Sequence, residues 1–231
     1  RTALKKQFPI IKTYKMKAAT YIAKFLKSKQ IDTVFELQGG MITRILDELN
    51  KEGGINIVSM HHEQSASFAA DAYARMSGKP GIALATSGPG ATNLLTGIGN
   101  CYYDSVPAIF ITGQVNIHEQ KGNKAIRQLG FQETDIISVA SPLVKKAFAL
   151  KNAIDLPKIL EQAWNIALNG RPGPVLIDIP MNLQNEEISE DISEIYFANR
   201  DLLENTSMDK KLFFDKIIDA IKIAKKPLVL I

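Results

Sequence analysis

Short apolar runs alternate with amphipathic helical patterns along most of the chain, and this alternation constrains the fold more than any other feature. Residues 34–37, 55–60, 81–85, 108–112, 144–150 and 175–179 form the apolar runs. Helical spacing of apolar residues marks 17–29, 42–49, 63–76, 91–102 and 156–168. Strands that alternate with helices build a parallel sheet covered on both faces. The sequence therefore predicts an α/β fold with a doubly wound parallel sheet.

Composition excludes several other classes of protein. Of the 231 residues, 45% are hydrophobic and 23% are charged, which is ordinary for a globular chain and unlike a disordered tail or a fibrous repeat. The sequence has no uncharged apolar run of 18 residues, so it predicts no membrane-spanning helix. The single cysteine, Cys101, cannot form an internal disulfide, which favours a reducing compartment and a cytoplasmic location.

Charge is unevenly distributed along the chain. Residues 1–31 contain nine of the 28 basic residues and none of the 24 acidic ones, so the rest of the chain is net acidic. Nucleic-acid binding requires a basic surface on the folded domain, so this distribution argues against it. The first helical pattern opens near Met16, and residues 1–15 are interpreted as a leader or an extension.

Composition also changes near residue 181, which indicates a domain boundary. Acidic residues crowd 186–194 with weak periodicity, so 181–207 is predicted to be an extended linker between a domain at 16–180 and a second unit at 208–231. That second unit has a helical pattern followed by the apolar run 228–231. We interpret it as the start of a central α/β domain within which the sequence stops.

Glu63 is the acidic residue with the most suggestive position. It follows the strand at 55–60, and the carboxyl ends of parallel strands are where α/β proteins bind ligands. The alternative is an acid at a helix start, stabilised by the helix dipole. His61 and His62 precede it, but adjacent strand residues point to opposite faces, so no metal site is predicted.

Two glycine-rich turns join strands to helices, at Gly39–Gly40 and at residues 86–93. The second turn suggests a phosphate loop, since glycines let a backbone approach an anion. However, Pro89 lacks an N–H donor and the turn has no Lys or Arg. A loop that lies flat against an uncharged ring fits better, although each turn alone could be ordinary turn chemistry.

A series of blocks occurs in a recognisable order and spacing. The blocks are 34–35 with 39–40, 62–64, 69–71, 73–75, 77–81, 86–93, 104–107, 112–115, 131–133 and 170–180. Together they resemble the N-terminal, pyrimidine-binding domain of the thiamine-diphosphate enzymes of the acetolactate synthase group. The resemblance covers about residues 17–180.

The resemblance assigns roles to the residues that match the family blocks. The glutamate equivalent to Glu63 hydrogen-bonds N1′ of the cofactor's aminopyrimidine and promotes removal of the proton from C2 of the thiazolium, so Glu63 is the implied catalytic residue. The residues implied to bind the cofactor are Gln38, Gly39, Gly40, Glu63, Thr86, Pro89 and Asn93. The residues implied to face the substrate, a 2-oxo acid, are Phe131 and Gln132.

Two departures from the family pattern leave the reaction open. The family loop usually reads Gly-x-Pro-Gly-Gly, whereas this chain has Glu36 in place of the first glycine and Gln38 in place of the proline. Acetolactate synthases usually carry Lys where this chain has Met181. The resemblance implies acetolactate formation from pyruvate first. One alternative is a related enzyme that uses a different 2-oxo acid or a sugar acceptor. The other is a separate, non-catalytic pyrimidine-domain subunit.

The resemblance also implies cofactors and partners outside this sequence. The family binds diphosphate and Mg²⁺ through another domain with a Gly-Asp-Gly motif, which does not occur here, and FAD, when used, through a middle domain. The cofactor lies between subunits, so a homodimer or homotetramer is implied. Helices near 66–74 and 94–102 are the candidate interface surfaces. We expect this chain by itself to be inactive.

Overall fold

The computed structural model describes residues 15–189 and 210–228, and its elements alternate as the sequence predicts. The strands are β1 (Lys15–Lys17), β2 (Thr33–Leu37), β3 (Asn56–Ser59), β4 (Gly81–Ala85), β5 (Ala108–Gln114), β6 (Lys146–Ala149), β7 (Pro174–Pro180) and β8 (Glu187–Ser189). The α-helices are α1 (Ala18–Ser28), α2 (Thr43–Glu52), α3 (Glu63–Ser77), α4 (Pro89–Asn93), α5 (Leu95–Asp104), α6 (Ile136–Ala140), α7 (Leu156–Leu168), α8 (Met181–Gln184) and α9 (Lys210–Ile223).

Six parallel strands form the central sheet in the order β3-β2-β4-β5-β7-β6. Every residue of β4, β5 and β7 is buried, because helices cover both faces of these strands. One apolar cluster joins the sheet to α1, α2 and α7, and a second joins its other face to α3, α5 and α6. The predicted doubly wound α/β fold is confirmed.

Helix α3 packs against β4 and α5 more closely than larger residues would allow. A Cβ atom on Gly81 would overlap the carbonyl of Ala70, and one on Gly97 would overlap the side chain of Ser67. The small residues of α3 therefore face inward. Residues 66–74 and 94–102 were expected to supply apolar interface surface, but their apolar side chains are largely core; Ala66, Ala70, Ala74, Leu94, Ile98 and Cys101 are all buried.

The order of the strands creates two crevices at the carboxyl edge of the sheet. The connection after β2 leads to α2 on one face, while that after its neighbour β4 leads to α4 and α5 on the other. We call the gap between the ends of β2 and β4 the first crevice. Neighbours β5 and β7 also diverge, towards α6 and α8 respectively, and we call that gap the second crevice. Ligands of open α/β sheets bind where neighbouring connections diverge in this way.

Residues 181–189 differ from the predicted extended linker. They form α8 and β8, and β8 pairs antiparallel with β1, so that Lys15 lies opposite Ser189. Leu183 and Ile188 are buried in the same apolar cluster as α1. These two side chains attach the segment to the sheet domain. The linker was predicted because the segment has weak helical periodicity, and periodicity does not detect two isolated buried side chains. The remaining linker residues, 190–207, lie outside the described residues.

The chain divides into two units between Tyr196 and Phe197. The described part of the second unit contains α9, whose apolar side chains Phe214, Ile217, Ile218 and Ile221 are exposed. The core strand predicted at 228–231 lies outside the described residues except for Leu228. Among the helices of the described ranges, none combines the length and the apolar character that crossing a membrane requires.

Candidate functional site

Glu63 is the first residue of α3 and lies at the carboxyl edge of the sheet. The preceding residue, His62, caps the helix, and its Nδ1 accepts a hydrogen bond of 3.1 Å from the backbone N–H of Gln64. Glu63 is only 7% exposed. The N-terminus of this 15-residue helix supplies partial positive charge next to the carboxylate. The sequence thus places an acid where burial and the helix dipole both act on it.

One oxygen of Glu63 is held and the other is open. Asn93 Nδ2 donates to Glu63 Oε2 at 2.9 Å. Asn93 is the last residue of α4, a short helix that begins with Pro89 and follows Gly88, whose φ of +64° suits glycine. Within the described ranges, Glu63 Oε1 accepts no hydrogen bond. The carboxyl is therefore oriented by one side chain and free to bind a donor through its second oxygen.

Gly39 and Gly90 pack closely against Thr86 beside this carboxyl, and we call these three residues the cradle. A Cβ atom on Gly39 would lie 2.6 Å from Thr86 Cγ2, and one on Gly90 would lie 2.7 Å from the same methyl and 3.2 Å from Glu63 Oε1. Thr86 Oγ1 accepts from the backbone N–H of Met41 at 3.3 Å, which connects the two glycine turns across the first crevice. A side chain at either glycine would overlap Thr86, so the glycines allow the backbones of both turns to approach its side chain closely.

The predicted cofactor residues lie on the two turns of the first crevice, but not all of them reach Glu63. Asn93 contacts it directly, and Thr86 and Gly39 form the adjoining cradle. Pro89 begins α4 and is exposed, Gln38 is exposed, and a Cβ atom on Gly40 would meet no atom of the described residues within 4 Å. Gly90 was not singled out from the sequence. Its signal is the Gly88-Pro89-Gly90 turn, in which the second glycine permits close approach.

Of the two residues expected on the substrate side, Gln132 lies next to the second glycine turn. A Cβ on Gly88 would lie 2.8 Å from Gln132 Cβ, and Gln132 itself has a positive φ of 62°. Phe131 is 77% exposed. Glu133 fixes this segment, because its carboxylate accepts from the backbone N–H groups of Lys121 and Leu129, each at 2.7 Å. The structure thus brings Gln132 to the edge of the first crevice.

Glu36 occupies the position at which the family motif has glycine, and it is buried beneath the end of β2. Its Oε1 accepts from the hydroxyl of Ser59, which links the ends of β2 and β3. Its Oε2 has no hydrogen-bond partner among the described residues. Ser59 lies four residues before Glu63, so this contact connects the strand that leads to Gly39 with the strand that leads to the candidate catalytic acid.

His61 and His62, which precede Glu63, lie at the surface near the start of α3. His62 caps α3 as described above. In the ranges that the structure covers, no group of three or more His, Cys, Asp or Glu side chains could hold a metal ion.

A second buried acid, Asp178, lies at the second crevice and was not found by sequence reasoning. Thr112 Oγ1 donates to its Oδ1 at 2.6 Å and Gln114 Nε2 donates to its Oδ2 at 3.0 Å. Burial raises the pKa of Asp178 to about 7, and the Coulombic effect of Asp135 acts in the same direction, while the two hydrogen bonds oppose it. Asp178 thus receives both of these hydrogen bonds from the neighbouring strand β5.

Comparison with known proteins identifies the family. The family described as "Thiamine pyrophosphate enzyme, N-terminal TPP binding domain" matches residues 16–139. The acetolactate synthase large subunit of Haemophilus influenzae is 37% identical over 217 residues, which are 94% of this chain and 37% of that protein. The chloroplastic acetolactate synthase of Arabidopsis thaliana is 42% identical over 170 residues, 74% of this chain and 24% of that protein.

A third relative, the acetolactate synthase isozyme 2 large subunit of Escherichia coli, is 40% identical over 169 residues, 73% of this chain and 30% of that protein. The chain thus spans between 24% and 37% of the length of these relatives. Glu63, Asn93, Thr86 and both glycines of the cradle lie inside the matched residues 16–139. The chain belongs to the thiamine pyrophosphate enzymes, whose N-terminal TPP binding domain it contains.

Proposed function

We propose that this chain is the N-terminal, cofactor-binding part of a thiamine-diphosphate-dependent carboligase or decarboxylase that acts on a 2-oxo acid. The observation that carries the proposal is the open carboxylate oxygen of Glu63 beside the cradle of Gly39, Thr86 and Gly90. Acetolactate formation from pyruvate is the first choice of reaction, because the relatives described above are named acetolactate synthases.

The cradle would offer a side-chain-free surface to the pyrimidine ring of thiamine diphosphate. The ring would lie against the bare backbone that Gly39 and Gly90 present beside Thr86, with its edge towards Glu63 Oε1, which is 3.2 Å from the Gly90 Cβ position. The cofactor, when bound, supplies a nucleophilic carbon and accepts the electron pair that decarboxylation releases. Glu63 would share a proton with a ring nitrogen, and Asn93 would hold the carboxyl in the required orientation.

The proposal extends to groups that lie beyond the described residues. Mg²⁺ and the diphosphate would be held by another domain, and FAD, if the enzyme uses it, by a middle domain. We further propose a homodimer or homotetramer with the cofactor shared between subunits, in the cytoplasm, with a role in branched-chain amino-acid biosynthesis. Phe68 and Tyr102, which project from α3 and α5 and are 39% and 38% exposed, support an interface on this face.

An assay of the full gene product that contains this chain tests the reaction. With thiamine diphosphate, Mg²⁺ and pyruvate, we expect release of CO₂ and formation of acetolactate, both followed by NMR. Consumption of no compound in a panel of 2-oxo acids would overturn the proposal. Sedimentation at low micromolar concentration tests the assembly, for which a stable, active monomer is the contradicting result.

A different acceptor is the second candidate, because two substitutions change the surroundings of the cradle. Glu36 buries a carboxyl oxygen without a partner in the described ranges where the family has glycine, and Met181 stands where acetolactate synthases usually have Lys. If the enzyme decarboxylates pyruvate without making acetolactate, adding aldehyde or sugar acceptors one at a time will identify the product. Acetolactate as the sole product would exclude this candidate.

A further inference from the structure

The second crevice contains a cavity that the proposed cofactor site does not use. The cavity has a volume of about 270 Å³. It is lined by two residues that follow β5, three that end or follow β6, and two of β7, namely Ile117, Gln120, Ala149, Leu150, Lys151, Asp178 and Pro180. It lies at the carboxyl edge of the sheet, beyond the strand pair β4–β5 that separates it from the first crevice. Position at a crevice of this kind makes a cavity a candidate ligand site.

The inner end of the cavity is a hydrogen-bond acceptor. Asp178 is 6% exposed, and Thr112 and Gln114 donate to its two oxygens from β5. A carboxylate offers about four lone-pair positions, so each oxygen retains capacity for a further donor. A ligand hydroxyl would supply such a donor.

The rest of the lining is apolar apart from one cation and one amide. Ile117, Leu150 and Pro180 present aliphatic surface, and Lys151 is exposed. Among the described residues, no acid pairs with Lys151. Gln120 Nε2 already donates to the carbonyl of Val115 at 3.3 Å. The lining therefore combines an exposed cation at Lys151 with a buried carboxyl at Asp178 that accepts hydrogen bonds.

We propose that this cavity binds a small aliphatic hydroxy carboxylate, with its hydroxyl on Asp178, its carboxylate on Lys151 and its carbon skeleton against Ile117, Leu150 and Pro180. The volume limits the ligand to a small molecule. This site is separate from the first crevice and does not depend on the proposed function, although carboligation of pyruvate would release a compound of this class.

Saturation-transfer NMR on the full gene product tests the site with four probes. 2-Hydroxyisobutyrate carries all three features, isobutyrate lacks the hydroxyl, tert-butanol lacks the carboxylate, and inorganic phosphate is an anion alone. We expect 2-hydroxyisobutyrate to bind with a dissociation constant on the order of millimolar, as suits so few heavy atoms, and each other probe to bind at least about fivefold more weakly. Equal affinity for all four probes, or no signal from 2-hydroxyisobutyrate at about 10 mM, overturns the proposal.

Two lysine variants localise the binding. Lys151→Gln should weaken it by about tenfold, which is the effect of losing one charge-assisted hydrogen bond, and should leave the fold intact because Lys151 is exposed. Lys158→Gln, at an exposed lysine on α7, is the matched control and should change nothing. Equal loss in both variants, or displacement of the probe by thiamine diphosphate, contradicts a site in the second crevice. Pyruvate turnover is measured in a separate assay. If the protein does not turn over pyruvate, the binding test still decides whether the second crevice is a ligand site.

Discussion

The two crevices each contain a buried acid, but the acids are built for different tasks. Glu63 begins a helix, receives one hydrogen bond from Asn93 and keeps Oε1 open beside a glycine cradle. Asp178 lies within a strand and receives hydrogen bonds on both oxygens. An open oxygen lets Glu63 exchange a proton with a ligand, whereas hydrogen bonds on both oxygens hold Asp178 in one orientation. The difference lies in the neighbours, since both acids are largely buried.

Glu63→Gln gives the largest expected effect, because it removes the proton-sharing group and keeps its shape. In the full gene product, we expect turnover to fall by about 10²-fold or more, the range for loss of a positioned acid–base group. Hydrogen–deuterium exchange at C2 of added thiamine diphosphate, quenched and measured by proton NMR, isolates the step that Glu63 serves. Glu187→Gln, at an exposed ion pair with Lys15, controls for the loss of one negative charge.

Exchange at the parent rate in Glu63→Gln would remove Glu63 from catalysis. The carboxyl of Glu63 would then be a helix-start acid stabilised by the helix dipole. Glu63 and Asp178 would differ only in where they lie in the fold, and not in their chemical role.

Asp178→Asn gives the next effect, on stability rather than turnover. The pKa of Asp178 is raised from 3.8 to about 7, so the folded protein holds its proton more tightly than the unfolded chain. Stability from this group is therefore complete below about pH 4 and is lost as pH rises through about pH 7, a change on the order of 4 kcal/mol. Above that range the contribution stays constant.

Asparagine does not titrate, so the difference in unfolding free energy between the parent and Asp178→Asn should shift against the parent from pH 4 to pH 8. Urea denaturation of the 231-residue chain measures it, with fluorescence from Trp164, its single tryptophan, as the signal. Parallel pH profiles for the two proteins would mean that the carboxyl keeps an ordinary pKa and that the second crevice is less enclosed than described.

Gly90→Ala sharpens the description of the first crevice. The added methyl would lie 2.7 Å from Thr86 Cγ2 and 3.2 Å from Glu63 Oε1, so it would displace Thr86 and crowd the open carboxyl oxygen. We expect thiamine diphosphate affinity, measured by calorimetry on the full gene product, to fall by about tenfold, a typical effect of overpacking. Gly99→Ala is the control, since its methyl would meet only Leu143 at 3.8 Å among the described residues. Equal affinities in both variants would place the ring elsewhere.

Glu133→Gln gives the smallest expected effect. The carboxylate accepts from the N–H groups of Lys121 and Leu129, and the amide retains one acceptor oxygen for the two. The segment that carries Gln132 should loosen, so we expect KM for the 2-oxo acid to rise by about threefold at most, with C2 exchange unchanged. A loss of C2 exchange as large as that in Glu63→Gln would make Glu133 part of the cofactor site.

The sheet was predictable from sequence because its signals are local. The apolar run at 81–85 coincides with β4, and the helical pattern at 156–168 coincides with α7. Both patterns depend only on residues that are close together in the sequence. The helix predicted at 91–102 is interrupted at Leu94, between α4 and α5. The apolar residues keep their helical spacing across Leu94, so the sequence pattern gives no sign that the helix is interrupted there.

Asp178 and the β1–β8 pair show what sequence could not reveal. Asp178 stands inside an apolar run, and its donors Thr112 and Gln114 lie 66 and 64 positions away. Strands β1 and β8 have three residues each and come from opposite ends of the domain, so neither has a recognisable pattern. Both features depend on contacts between distant parts of the chain, which only the assembled sheet brings together.

The pairing of β1 with β8 makes the domain a transferable block. Because Lys15 lies opposite Ser189, the chain enters and leaves the domain at neighbouring points on its surface. A block with adjacent ends can be inserted into another protein, or exchanged between relatives, without stretching the flanking chain. Such an exchange would move Glu63 together with Asn93 and Thr86 as one prebuilt unit, while the recipient supplies everything that surrounds it.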